Sequence, residues 1–171
     1  MKASLINGKL LKNKEKLSVL FICLGNICRS PTADGVFRKL VADARIDHKV
    51  VVDSAGTAAW HIGKSPDSRS QSFALRRGYD LSGLRARQVN EVDFDTFDLL
   101  LAMDSENYSN LMQLCPKGSE HKVKKLLSFS SIAPDEDVPD PYYGGDKGFE
   151  QVLDLVEDAC DQLLKYVKSG L

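Results

Sequence analysis

Short unbroken apolar runs alternate along this chain with longer stretches in which apolar residues recur at helical spacing. Ser18 to Cys23 is nearly continuous in apolar character, which suits a strand covered on both faces. Pro31 can open a helix, and Ala33, Val36, Phe37, Leu40, Val41 and Ala44 then fall on one stripe. Val50 to Val52 predicts a second buried strand, closed by a polar turn from Asp53 to Thr57. A loop with Trp60, Gly63 and Pro66 leads to a helix from about Asp67 to Arg77, stopped by Gly78. Phe97 to Met103 predicts a third strand. Asp104 can cap a helix that runs to about Leu114, before Pro116. Val123 to Leu127 is the candidate fourth strand. Ile132 to Gly148 is acidic and rich in Pro and Gly, hence a loop. Val152, Leu153, Val156, Ala159, Cys160, Leu163, Leu164 and Val167 share one side of a last helix, Phe149 to Lys168.

Strands alternating with helices imply an α/β fold: a single domain with a twisted parallel sheet of four strands and helices on both faces. Ligands of such sheets sit beyond the carboxyl ends of the strands. The loop after the first strand is therefore the place to look for chemistry. The domain is expected over 17–171. Residues 1–16, where lysines alternate with a few leucines, read as a flexible basic extension.

Composition narrows the function. The 171 residues carry a net charge of −1, without the basic excess of a general nucleic-acid binder. No apolar run approaches bilayer length, and the first residues lack the apolar core of a signal peptide. Four cysteines without such a signal point to a reducing, cytoplasmic setting and no membrane association.

The segment after the first strand reads Cys23-Leu24-Gly25-Asn26-Ile27-Cys28-Arg29-Ser30-Pro31. A cysteine at a strand end and an arginine at a helix start leave a loop just long enough to turn its N–H groups around one tetrahedral oxyanion. Arg29 adds a planar fork of donors for two of that anion's oxygens. The same positive field that binds phosphate favours a thiolate at Cys23. Ser30 can donate to that sulfur. Gly25 is expected to supply a backbone conformation that a Cβ would oppose, and Asn26 to take a left-handed conformation and bond across the loop. Attack on a phosphate ester also needs a proton for the departing oxygen. Asp140, stiffened between Pro139 and Pro141, is the candidate acid; without the cysteine loop it would read as part of an acidic surface.

With these pieces the sequence resembles the low-molecular-weight protein tyrosine phosphatases. The matching segments are Cys23 to Pro31, Asp53-Ser54-Ala55-Gly56, Arg85-Ala86-Arg87-Gln88, Ala102-Met103-Asp104, and Asp140 to Gly145, which reads DPYYGG. The resemblance covers the chain from about Lys16 onward. It implies a phosphocysteine at Cys23, stabilised by Arg29 and the amides of Leu24, Gly25, Asn26, Ile27, Cys28 and Ser30. It implies that Asp140 acts as acid and then as base, and that Asn26, Ser30 and Ser54 form a polar network supporting the loop. No metal or other cofactor is required, and phosphotyrosine-bearing proteins or peptides are the expected partners. Trp60, Tyr142 and Tyr143 are expected to wall the entrance, although Trp60 reads equally as a core aromatic. Ile27 stands where relatives acting on phosphoarginine carry threonine. Many relatives have histidine where this chain has Leu84, and commonly glutamate at Asp34.

Other readings stay open at this level. Cys28 is either a packed thiol or a redox partner that forms a disulfide with Cys23. Arsenate reduction would need a resolving cysteine pair, and Cys115 and Cys160 are far apart in sequence. Phosphoarginine hydrolysis on the same loop and a non-catalytic phosphate-binding module complete the alternatives. His48, His61 and His121 are assigned no chemistry; His61, beside Trp60, can face the cleft, although a surface role is the first expectation.

Overall fold

The computed structural model describes residues 4–6, 9–11, 15–142 and 145–171. Two short strands, β1 (Ser4–Ile6) and β2 (Lys9–Leu11), pair antiparallel within the segment read from sequence as a flexible extension. The main sheet contains β3 (Leu17–Cys23), β4 (Val50–Gly56), β5 (Leu99–Ala102) and β6 (Val123–Lys125). Its order is β4-β3-β5-β6 with every pairing parallel, as the alternation of strands and helices predicted. The register sets Cys23 opposite Gly56 and Ile22 opposite Ala102, so three strands end beside the same loop.

Side-chain alternation divides the core. Val19 and Phe21 of β3 point to one face, with Phe37 and Val41 of α1 (Arg29–Asp43) and Val156 and Leu163 of α5 (Asp146–Gly170). Phe73 of α2 (Ser68–Arg76) and the first turn of α5 join that side, their Phe73 and Phe149 rings stacked at 5.5 Å. Leu20 and Ile22 point to the other face, with Phe94 of α3 (Glu91–Thr96) and Leu111 of α4 (Ser105–Leu114). Both faces of the sheet are thus buried. Among the described residues no helix is long and apolar enough to cross a membrane.

The third and fourth strands are shorter than the sequence reading, at Leu99–Ala102 and Val123–Lys125, the last helix is longer, at Asp146–Gly170, and three further differences bear on the site. The expected polar turn at Asp53 is part of β4, because Arg87 meets Asp53 and a buried hydroxyl network meets Ser54. α1 begins at Arg29 rather than Pro31, which brings the arginine into the first helical turn. α3 was not anticipated; its N-terminus is fixed by a capping box between Asn90 and Asp93.

Candidate active site

The loop from Cys23 to Arg29 closes the carboxyl end of β3 and leads directly into α1. Backbone bonds clasp it from the side of β4: Thr57 N donates to Cys23 O and Ala58 N to Leu24 O, each at 2.9 Å. Gly56 makes that contact possible, since a Cβ there would lie 2.6 Å from Leu24 O. Asn26 carries the left-handed residue of the turn, with φ of 56°. Gly25 has no such conformation. A Cβ there would lie 2.9 Å from the His61 imidazole, a side chain that can move aside.

A chain of hydrogen bonds fixes the loop from beneath. The Arg87 N–H donates to Asn26 Oδ1 at 3.1 Å. Asn26 Nδ2 donates to Ser30 Oγ at 2.8 Å and to Ser54 Oγ at 3.0 Å. With Asn26 as its donor, the Ser30 hydroxyl can give its own hydrogen to Cys23 Sγ, 3.0 Å away. Asn26 N–H also points at that sulfur, at 3.3 Å. Ser54 in turn bonds the carboxylate of Asp34. Leu84 packs against the core and takes no part; Asn26 is satisfied by the Arg87 backbone instead.

Arg29 is 3% exposed. Its Nη1 donates to Asp104 Oδ2 at 2.6 Å and to Val138 O at 2.9 Å, and its Nη2 lies 3.8 Å from Asp140 Oδ2. Burial works against the guanidinium charge, but Cys23, Asp104 and Asp140 more than offset it and raise its pKa above the ordinary value. The sequence marks Asp104 as a helix cap. It is one, accepting from Asn107 N at 2.7 Å, and its second oxygen orients the arginine. That second role depends on two strand ends meeting in space, which sequence spacing does not encode.

A cleft of about 260 Å³ opens over the sulfur, lined by Cys23, Leu24, Gly25, Ile27, Cys28, Arg29, Trp60, His61, Asp140 and Tyr142. Trp60 is 69% exposed on the rim, so it is not a core aromatic. His61 takes the less favoured of its two expected places, lining the cleft beside Trp60 and lying against Gly25. Tyr143 lies outside the described residues. Cys28, within the loop, is buried and bonded to Ser70, and burial pushes its thiol up to about 12. Cys160 lies in the core on one face of the sheet, whereas Cys115 packs against the core on the other.

The arrangement places a sulfur, a buried guanidinium and a carboxyl on one cleft with aromatic rims. A family model for low molecular weight phosphotyrosine protein phosphatase matches residues 18–170. A low molecular weight phosphotyrosine protein phosphatase of Homo sapiens is 45% identical over 152 residues, covering 86% of this chain and 94% of its own length. The low molecular weight protein-tyrosine-phosphatase YfkJ of Bacillus subtilis is 43% identical, covering 89% and 96%. The crystal structure of a protein tyrosine phosphatase from Entamoeba histolytica superposes with a TM-score of 0.87 at 41% identity, covering 91% of this chain and 99% of that one.

Proposed function

Because the chain belongs to the low molecular weight phosphotyrosine protein phosphatase family, we propose that it hydrolyses phosphotyrosine in proteins or peptides through a phosphocysteine at Cys23. The observation that carries this reading is the convergence of Cys23, Arg29 and Asp140 on the one cleft walled by Trp60 and Tyr142. The Cys23 thiolate attacks phosphorus, the ester bond breaks, and Asp140 protonates the departing phenolate. Ser30 supports the sulfur both as attacking thiolate and as later leaving group. Arg29 and the loop N–H groups hold the equatorial oxygens as their charge rearranges. Asp140, now ionised, takes a proton from water, which attacks phosphorus and releases inorganic phosphate and the thiolate.

The aromatic rims at Trp60 and Tyr142 favour an aryl ester over phosphoserine. Ile27 lines the same space without a hydroxyl to orient a guanidinium, which favours phosphotyrosine over phosphoarginine. Cys115 and Cys160 lie on opposite faces of the sheet, an arrangement that gives arsenate reduction no resolving pair there. Residues 17–171 form the catalytic domain in this reading, with a cytoplasmic location and no requirement for a metal or nucleic acid. Cys28 belongs to it as a redox partner. Peroxide converts the Cys23 thiolate to a sulfenic acid, and condensation with the Cys28 thiol releases water and leaves a disulfide. Cys28→Ser should then lose reversible recovery from peroxide; unchanged recovery would make Cys28 a packed thiol only.

The deciding experiment is phosphate release from matched phosphotyrosine, phosphoserine and phosphoarginine substrates, with chelator present, for the wild type and Asp140→Ala. Phosphotyrosine turnover is expected to dominate and to fall by about 10²–10⁴-fold in the variant. A preference for phosphoarginine would remove the role given to Ile27, and no turnover of any substrate would leave a phosphate-binding module.

A further inference from the structure

Asp140 has to reach the leaving oxygen from a loop, so something must hold that loop against the phosphate cradle. On its upstream side the hold is visible. Asp137 Oδ1 accepts from Ser105 N and from Lys125 Nζ, and Val138 N donates to Met103 O at 2.8 Å. On its downstream side the hold comes from α2. Arg69 Nη2 donates to Tyr142 O at 2.9 Å, and its guanidinium lies over both the Tyr142 ring, at 5.7 Å, and the Phe149 ring, at 4.8 Å. The N–H of the same Tyr142 donates to Asp140 Oδ1 at 3.0 Å. Tyr142 is thus bonded to Arg69 through one backbone group and to the proposed acid through the other.

The opposite end of this connection reaches the cradle. Asp67 pairs with Arg69 at 3.2 Å and caps α2 by accepting from the N–H groups of Arg69 and Ser70. Its own N–H donates to Ile27 O at 2.7 Å, within the phosphate loop. One continuous path, Ile27 to Asp67 to Arg69 to Tyr142 to Asp140, therefore joins the loop that holds the phosphate to the group that gives the proton.

We propose that Arg69 is a positioning residue for the acid step, fixing the distance between the phosphate loop and Asp140. It touches neither substrate nor reacting atoms. The proposal rests on the reading of Asp140 as general acid. A planar fork is what the position requires: Nε and Nη2 engage Asp67 while Nη2 also reaches Tyr142 O. A lysine can engage one side but cannot span both in that geometry.

The test is the dependence of kcat/KM on the leaving group. Phenyl phosphate needs a proton on its departing oxygen, whereas dinitrophenyl phosphate leaves without one. Arg69→Ala is expected to lower kcat/KM for phenyl phosphate by about ten- to a hundredfold and to leave the dinitrophenyl ester and inhibition by inorganic phosphate within about twofold. Arg69→Lys should fall between, and it carries the test if Arg69→Ala does not fold. Adding Arg69→Ala to Asp140→Ala should cost nothing further, because the group being positioned is already gone. An equal loss for both esters, or multiplying losses in the double variant, overturns the proposal. A flat leaving-group profile in Asp140→Ala alone instead overturns the assignment of Asp140, and this inference with it.

Discussion

Asp34 is 1% exposed on the first turns of α1, with Arg38 beside it and the Ser54 hydroxyl bonded to it. Burial raises its pKa above the ordinary carboxylate value, more than Arg38 and Ser54 lower it. The sign of the consequence follows from proton counting. Between its ordinary value and the raised native one, the folded state binds more protons at Asp34 than the unfolded state does. This group therefore favours folding more as pH falls through that window, and above the window its full cost is present. Asp67, Asp137 and Asp158 act oppositely. Although burial raises each of them, their hydrogen bonds win and lower them below the ordinary value, so the stability they give is lost on acidification. Comparison with Asp34→Asn isolates the one term. In urea unfolding across mildly acidic pH, the stability of the wild type relative to this variant should increase as pH falls. A difference that moves the other way would mean that the Arg38 pair, not burial, governs the carboxylate. Because Asp34 holds Ser54, and Ser54 accepts from Asn26, the charge placed there also loads the network under Cys23.

At the level of elements, the carboxyl end of β4 does more than its sequence suggests. Gly56 lies where the sheet, the Cys23 to Arg29 loop and the Arg87 to Val89 segment meet: its N–H donates to Arg87 O, and its carbonyl accepts from Val89 N. A methyl group at this point meets backbone on the loop side, at Leu24 O and at the Gly25 carbonyl carbon, and backbone cannot swing away. Gly56→Ala is expected to cost about 1–3 kcal/mol in urea unfolding and to weaken inhibition by inorganic phosphate in parallel. Loss of stability with phosphate affinity intact would separate the sheet end from the loop. The strands around this point were readable to different depths for physical reasons. β3 announces itself because both its faces are buried, and Cys23 to Arg29 is legible because its parts are local in the chain. The second half of β4 is not, because Asp53 and Ser54 are matched by distant polar partners rather than by apolar neighbours. α3 is too short to show a period, although Asn90 and Asp93 carry its capping signal. The links from Arg29 to Asp104 and from Arg69 to Tyr142 join residues 75 and 73 positions apart, so no local pattern could reveal them.

Across the whole molecule, the site depends on α2 keeping its place over one face of the sheet. At its start α2 meets the Cys23 to Arg29 loop through Asp67, and at its end Arg77 is held by three carboxylates of α5. Glu150, Asp154 and Glu157 stand on successive turns and converge on that guanidinium, and Tyr79 donates to Glu157 at 2.8 Å. Partial burial disfavours the Arg77 charge, but the three acids outweigh it and raise its pKa above the ordinary value. An exposed pair of this kind contributes little, but here removal of one cation leaves three like charges facing one another along α5. Arg77→Ala should therefore cost more than a single surface pair, about 1–2 kcal/mol in dilute buffer. Salt provides the discriminating measurement. Added sodium chloride screens both the attraction in the wild type and the repulsion left in the variant, so the gap between their urea midpoints should narrow. A gap that ignores salt would instead assign the loss to the apolar stem of Arg77 rather than to its charge. Two clamps on one helix, Arg69 near its start and Arg77 at its end, thus make separable predictions. Loss of the first should alter the leaving-group dependence of turnover, whereas loss of the second should alter the salt dependence of folding.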